Sequence, residues 1–337
     1  MIGLFGKKHF EFDLRTLPER ALPPHFVRLR VLACGVCGTD LHLLREMDDW
    51  TPLGHEIAAE VVETGAEVSR VRCGDTVICE DVTVCGGCEA CKTGQMRLCR
   101  NGLTLDGQPG MSEEMVVHEN MLNAYTELDP VTAAMTEPLA VAIRGVNKLQ
   151  LRPFASLAVF GMGAIGLFCA AYARAMGAGR IAMFARDPNS QRNRAAVAAA
   201  ADLGADDFYF SAQPDYIDQA LAKGGFDAAI VAAPPALCAD AMRLLNYGGS
   251  VLAMGVNFGS NNIVGLDVND MVFNKKQLLT SLAEPAVNFP LSIRLIQSGR
   301  IDVRRAVTHT VPLRQAQELC ALYDRDSGAL KTVLTCR

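Results

Sequence analysis

Hydrophobic and polar positions change texture twice along the chain. To about Pro130, short apolar runs are broken by Gly, Pro and Asp turns, and Val27–Leu32, Glu60–Glu63 and Thr76–Cys79 read as strands. From Ala155 onward, continuous apolar runs alternate with Ala-rich amphipathic stretches. Ala155–Phe160 reads as a strand, a glycine turn follows, and Ala164–Met176 reads as a helix. The same alternation predicts strands at Ile181–Ala185, Phe208–Phe210, Ala228–Ala232, Val251–Gly255 and Leu278–Leu282. Helices are predicted at about Arg192–Leu203, Tyr216–Ala222 and Pro235–Leu245. Apolar strands alternating with helices imply a parallel sheet covered on both faces. After about Glu284 the texture is mixed again and ends in a β-like Thr332–Cys336. The fold class is therefore α/β, with a β-rich domain from residues 1–135 and 285–337 and a doubly wound domain, 136–284, inserted between them.

Composition narrows the classes. The 337 residues are 50% hydrophobic and 20% charged, enough for packed cores. With 32 basic and 37 acidic residues, the net charge of −5 offers no basic surplus for nucleic acid or an acidic membrane. No apolar run approaches the roughly 18 residues that a membrane span needs, and Met1–Lys8 does not read as a signal peptide. A cytoplasmic protein is expected. In such a chain clustered cysteines point to metal or catalysis rather than disulfides. Cys169, Cys238, Cys320 and Cys336 stand singly and read as buried small hydrophobes.

The densest cluster is residues 85–99, CGGCEACKTGQMRLC. Four thiolates at Cys85, Cys88, Cys91 and Cys99 suit a tetrahedral Zn²⁺ shell, and Gly86, Gly87 and Gly94 let the backbone turn so the sulfurs converge. An iron–sulfur cluster is the competing occupant. A shell closed by four protein ligands leaves no room for water, so the site is structural.

A second constellation is open. Residues 34–42 read CGVCGTDLH, and Gly54-His55-Glu56 follows. Cys37 and His55 are zinc-type ligands, and a carboxylate, either Glu56 or the distant Glu137, would be third. Three ligands leave a position for water or a substrate oxygen, which is the layout of a catalytic metal.

Gly161-Met162-Gly163-Ala164-Ile165-Gly166 follows an apolar strand and opens a helix. Such a turn brings a dinucleotide pyrophosphate against helix N–H groups. The acid expected at the end of the next strand to bind ribose hydroxyls is missing: Ala185 stands there. Arg186, Arg192 and Arg194 follow and suit a 2′-phosphate, so NADP(H) is expected over NAD(H), with Asp187 as the residue that speaks for NAD.

Together these motifs resemble the zinc-dependent medium-chain dehydrogenase family, in its sorbitol (polyol), sugar and threonine dehydrogenase branch. The resemblance runs from about Val27 to Thr335 and includes Gly74-Asp75-Thr76-Val77 and Lys331-Thr332-Val333-Leu334-Thr335. It implies a GroES-like catalytic domain and a Rossmann domain, two zinc ions per chain, and a homodimer or homotetramer formed near Leu278–Leu282. Carried over, Cys37, His55 and Glu56 match catalytic zinc ligands, and Glu137 stands where typical alcohol dehydrogenases have cysteine. Asp40 matches the carboxylate that orients the ligand histidine, Thr39 the hydroxyl that takes the substrate proton, and His42 the histidine that passes it on. Lys331 matches a basic residue that reaches cofactor phosphates. Ala59 stands where the family has glycine, His42–Gly54 is short, and Leu43 and Leu44 replace aromatics, all departures that bear on substrate. The implied activity is hydride transfer between a nicotinamide and the secondary alcohol or ketone of a small polar substrate. A threonine-type amino alcohol is the near alternative, and a non-catalytic dinucleotide or zinc sensor the distant one. A zinc-free quinone reductase is a third and weaker reading, because such members lack both cysteine motifs. Arg45 and Arg144 read as surface or helix-facing arginines rather than a clamp for an anionic substrate.

Overall fold

The computed structural model describes residues 1–257, 262–282, 286–324 and 327–336. The chain forms two compact units, one of Met1–Glu137, Glu284–Gln297 and Val307–Arg337, the other of Pro138–Ala283 and Ser298–Ala306. The boundary read at 284/285 lies outside the described residues. Ser298–Ala306 goes with the inserted unit because it packs on helices Ala164–Ala175 and Gln191–Asp202, with Arg305 paired to Asp202 at 2.9 Å.

The first unit is β-rich. Its main sheet runs in the order Leu122–Ala124, Thr76–Cys79, Glu56–Thr64, Phe26–Gly35, Lys331–Thr335 and Val307–Pro312, with Glu114–His118 also paired to Phe26–Gly35. Along Phe26–Gly35, Val27, Leu29 and Val31 are fully buried while Arg28 and Arg30 alternate with them toward ion pairs with Glu63 and Glu60. That period of two is what a half-covered sheet requires. Ala59 is an ordinary buried strand residue between Val31 and Val77. A hairpin of Ile2–Lys7 and Glu11–Thr16, joined by Thr51–Pro52, closes over helix Gly38–Glu46.

The second unit holds a parallel sheet in the order Asp207–Phe210, Ile181–Ala185, Leu157–Phe160, Phe226–Val231, Leu245–Ala253 and Gln277–Thr280. Numbered along the unit this is 3-2-1-4-5-6, the doubly wound order whose switch point lies between Leu157–Phe160 and Phe226–Val231. The expected helix Pro235–Leu245 is instead a 3₁₀ turn, Pro235–Leu237, and helix Cys238–Arg243. Leu245 already pairs with Phe226, so sheet register ends the helix early. The expected strand Leu278–Leu282 begins and ends earlier, at Gln277–Thr280, where it pairs with Ser250–Ala253. All twelve cysteines are free. Cys169, Cys238 and Cys336 are buried as expected, whereas Cys320 is half-buried. Among the described residues no helix is long and apolar enough to cross a membrane.

Candidate active site and metal centres

Three loops and strands of the first unit converge on one point. Cys37 precedes helix Gly38–Glu46, His55 follows the turn at Gly54, and Glu56 opens strand Glu56–Thr64. One ligand atom from each lies within 4.8 Å of the others. Buried Asp40 ties the pieces together. Its Oδ2 accepts from the Cys37 N–H and its Oδ1 from the Gly54 N–H, both at 2.9 Å, and Oδ1 stands 4.0 Å from His55 Nδ1. Asp40 thus braces the segments that carry Cys37 and His55, and its Oδ1 lies near the imidazole without a direct hydrogen bond to it. Burial opposes charge on His55, but Cys37, Asp40 and Glu137 outweigh it and raise its pKa well above the ordinary value.

Glu56 is buried. Its Oε1 pairs with Lys331 Nζ, and its Oε2 has no hydrogen-bond partner among the described residues. The donor set is thiolate, imidazole and carboxylate, with one carboxylate oxygen left unused, and it fits a zinc ion. Thr39 Oγ1 is 3.7 Å from Cys37 Sγ, and His42 follows one turn later on the same helix.

Glu137 opens helix Thr136–Leu149, whose first carbonyl, of Thr136, accepts from Ser292 Oγ at 2.8 Å. It is buried, and burial followed by the charge of Glu56 pushes its carboxyl up to about 8. Its oxygens do not join the Cys37–His55–Glu56 group, so of the two candidate carboxylates the fold brings Glu56 to the cluster.

The four cysteines also converge. Sγ–Sγ separations are 3.5 Å for Cys88–Cys91, 3.5 Å for Cys85–Cys99 and 4.0 Å for Cys85–Cys91. A tetrahedron with Zn–S bonds of about 2.3 Å has edges of about 3.8 Å, so the cage fits that ion. N–H groups of Cys88 and Gly87 pull the Cys85 thiol down to about 6, toward the thiolate a metal binds.

At the switch point of the second unit, a cleft of about 530 Å³ is lined by Gly161–Gly163, Arg186, Arg192, Ser211 and Ala232–Pro234 among others. Gly161 has φ +104°, and a Cβ there would meet the Ala232 carbonyl at 2.6 Å. At Gly166 a Cβ would meet the Gly161 carbonyl at 1.9 Å. Gly163 caps helix Ala164–Ala175, so Ala164 and Ile165 present its first N–H groups. The cradle suits a pyrophosphate. Arg186 and Arg192 line the cleft, and Arg194 is not among its lining residues. Asp187 is turned into its own loop, with Oδ1 accepting from the Asn189 N–H at 2.8 Å.

Lys331 requires a correction. Expected at a cofactor phosphate, it is buried in the first unit, paired with Glu56 and donating to the Val36 carbonyl at 2.8 Å. Gly35 was not singled out by its motif. A Cβ there would meet Glu56 Oε2 at 1.9 Å, and a glycine inside an otherwise apolar strand is the signal of such a close approach. Arg45 lies on the surface with its guanidinium over the Phe10 ring, as a surface arginine would.

Comparison with known proteins agrees with the geometry. Residues 23–126 match the alcohol dehydrogenase GroES-like domain and 164–298 the zinc-binding dehydrogenase domain. The chain is 29% identical to sorbitol dehydrogenase of Bacillus subtilis over 91% of this chain and 89% of that protein. It is 30% identical to L-idonate 5-dehydrogenase of Vitis vinifera over 98% and 93% of the two chains. Among solved structures it superposes on an alcohol dehydrogenase from Thermus sp. ATN1 with TM-score 0.88, 26% identity and full coverage of both chains. A Sinorhizobium meliloti protein described as a zinc-binding dehydrogenase and bound to NADP gives TM-score 0.86 and 26% identity over 99% of each chain. The chain belongs to the zinc-dependent, NAD(P)-binding medium-chain dehydrogenase family, and it is an oxidoreductase.

Proposed function

We propose that the protein oxidises the secondary alcohol of a polyol or sugar derivative with NADP⁺, or reduces the matching ketone. The observation that carries this reading is the convergence of Cys37, His55 and Glu56 beside Thr39, with His42 further along the same helix. In this reading those three residues hold a catalytic zinc, and Cys85, Cys88, Cys91 and Cys99 hold a structural one. Bound there, zinc supplies Lewis acidity to the substrate oxygen and the nicotinamide supplies the hydride acceptor. Thr39 takes the alcohol proton through its hydroxyl, and His42 carries it to solvent. Asp40 holds the Cys37 and His55 segments in register so that neither ligand drifts.

The substrate class rests on relatives named for sorbitol, L-idonate, L-arabinitol and D-arabitol phosphate. The preference for NADP(H) rests on Ala185 in place of an acid, on Arg186 and Arg192 in the cleft, and on the inward turn of Asp187. Free thiols at every cysteine suit a reducing, cytoplasmic setting. A homodimer or homotetramer would form through the exposed sheet edge at Gln277–Thr280.

A panel of polyols and ketoses read at 340 nm with both coenzymes tests the proposal. Turnover is expected with a higher kcat/KM for NADP⁺ than for NAD⁺, and Cys37→Ala should abolish it while the fold persists. Near-normal activity in that variant would refute the metal assignment, and a higher kcat/KM with NAD⁺ would refute the coenzyme assignment.

A further inference from the structure

We infer that Lys331 is a positioning residue for Glu56, holding one carboxylate oxygen so that the other is presented to the metal; the inference rests on the zinc reading of Cys37, His55 and Glu56. Lys331 opens strand Lys331–Thr335 and is 3% exposed, and Glu56 is 1% exposed. Their partnership spans 275 residues of sequence. The sheet produces it. Val333 pairs with Gly35, and Gly35 pairs with Glu56 on its other side. The Val36 N–H donates to the Thr332 carbonyl at 2.9 Å, while the Val36 carbonyl accepts from Lys331 at 2.8 Å. The ammonium is therefore held by the Val36 carbonyl, on a backbone segment itself tied to the Lys331 strand, before Glu56 is considered.

A buried ion pair is weak evidence for stability, since apolar residues of like volume often serve as well. Its placement behind one ligand oxygen calls for another reason. A carboxylate can bind a metal through one oxygen or two. Here Oε1 is taken by Lys331, and Oε2 is left without a partner among the described residues. Gly35 leaves room on the Oε2 side, where a Cβ would lie 1.9 Å away. The arrangement favours binding through Oε2. Glu137, buried nearby, does not join the cluster. The ammonium also repels a metal that shares its carboxylate. The two effects predict opposite signs, which makes the role measurable.

The test compares holoenzyme of wild type, Lys331→Met, Lys331→Gln and Lys331→Arg. Zinc release to a chromogenic chelator and the visible spectrum of the cobalt-substituted proteins are read. Cysteine-cage cobalt absorption checks that each variant is folded. Wild type should hold two zinc ions per chain. Lys331→Met should release the Cys37–His55–Glu56 zinc about 10–100-fold faster, the range typical of residues that orient a metal ligand. Its cobalt bands should weaken as the freed carboxylate binds through both oxygens. Lys331→Arg should restore both readings. Lys331→Gln keeps an N–H donor without the buried charge, so it stays informative if the Met variant does not fold, and it should fall between. Two zinc ions in wild type, with release from folded Lys331→Gln unchanged or slower and an unaltered cobalt spectrum, overturns the role of Lys331 alone. A wild type that holds zinc only in the cysteine cage overturns the reading of the active site itself.

Discussion

Gly35→Ala adds one methyl group where there is no room. Its Cβ would lie 1.9 Å from Glu56 Oε2 and 3.1 Å from the Met135 methyl. Glu56 has little freedom to yield, because Lys331 holds its other oxygen. The backbone at position 35 is extended, so the penalty is steric and falls on the ligand. The substitution should cost roughly 1–3 kcal/mol of stability, as overpacking does, and should deplete zinc from the Cys37–His55–Glu56 site while sparing the cysteine cage. Metal content and melting temperature check this, and a variant with full zinc and wild-type melting would remove the steric argument. At this scale the cluster of Cys37, His55 and Glu56 was legible from residue type, since thiolate, imidazole and carboxylate in short motifs have few other uses together. The choice between Glu56 and Glu137 was not legible, because it depends on where helix Thr136–Leu149 begins. Nor was the role of Lys331, which comes from strand pairing between distant parts of the chain.

The cysteine lobe is an element that lacks a core, and in the proposed reading one metal takes the core's place. Between Val84 and Thr104, no described side chain is buried. The lobe has a four-residue helix, Glu89–Lys92, and a two-residue strand pair, Val82–Thr83 with Leu103–Thr104. Neither is stable alone in water. In the zinc reading, metal binding supplies the ordering free energy, as it does in small zinc domains. Cys91→Ala is therefore expected to lower the zinc content by one ion per chain, to open residues 84–104 to protease, and to reduce the melting temperature by several degrees. A proteolysis map and melting curve matching wild type would rule out this dependence. Elsewhere the elements were legible in proportion to their apolar continuity. Ile181–Ala185 is buried on both faces, and its run marks both ends. Helix Thr136–Leu149 contains Pro138 and Gly145, which mask its apolar stripe. The hairpin Ile2–Lys7 with Glu11–Thr16 carries glycines and a positive-φ turn at His9 and Phe10, so no clean alternation advertises it.

At the scale of the whole molecule, one surface of the inserted unit has the features of an unfinished sheet. Gln277–Thr280 is its outer strand, and the described chain places no strand beyond it. Free strand edges invite pairing, and soluble proteins usually blunt them with charge, proline or a covering element. Here Lys148 caps the Thr280 carbonyl at 2.5 Å, but apolar side chains are exposed around the edge as well. Leu278 and Leu282 are exposed, and on the neighbouring helix Val272 and Phe273 are 67% and 77% exposed. An apolar patch beside an open edge marks an interface more often than a solvated face. Two copies related by a twofold axis would pair the strand with itself and cover the patch on both, using the same residues twice. The wild-type protein should sediment as a dimer or tetramer at micromolar concentration. Val272→Asp with Phe273→Asp places four charges in a twofold interface, and burying them unpaired is costly. The double variant should sediment as a monomer, or as a dimer if wild type is a tetramer, and should keep its full zinc content because both metal sites lie in the other unit. A monomeric wild type, or a double variant of unchanged mass, would mean that this edge faces water and that the exposed apolar side chains have another use.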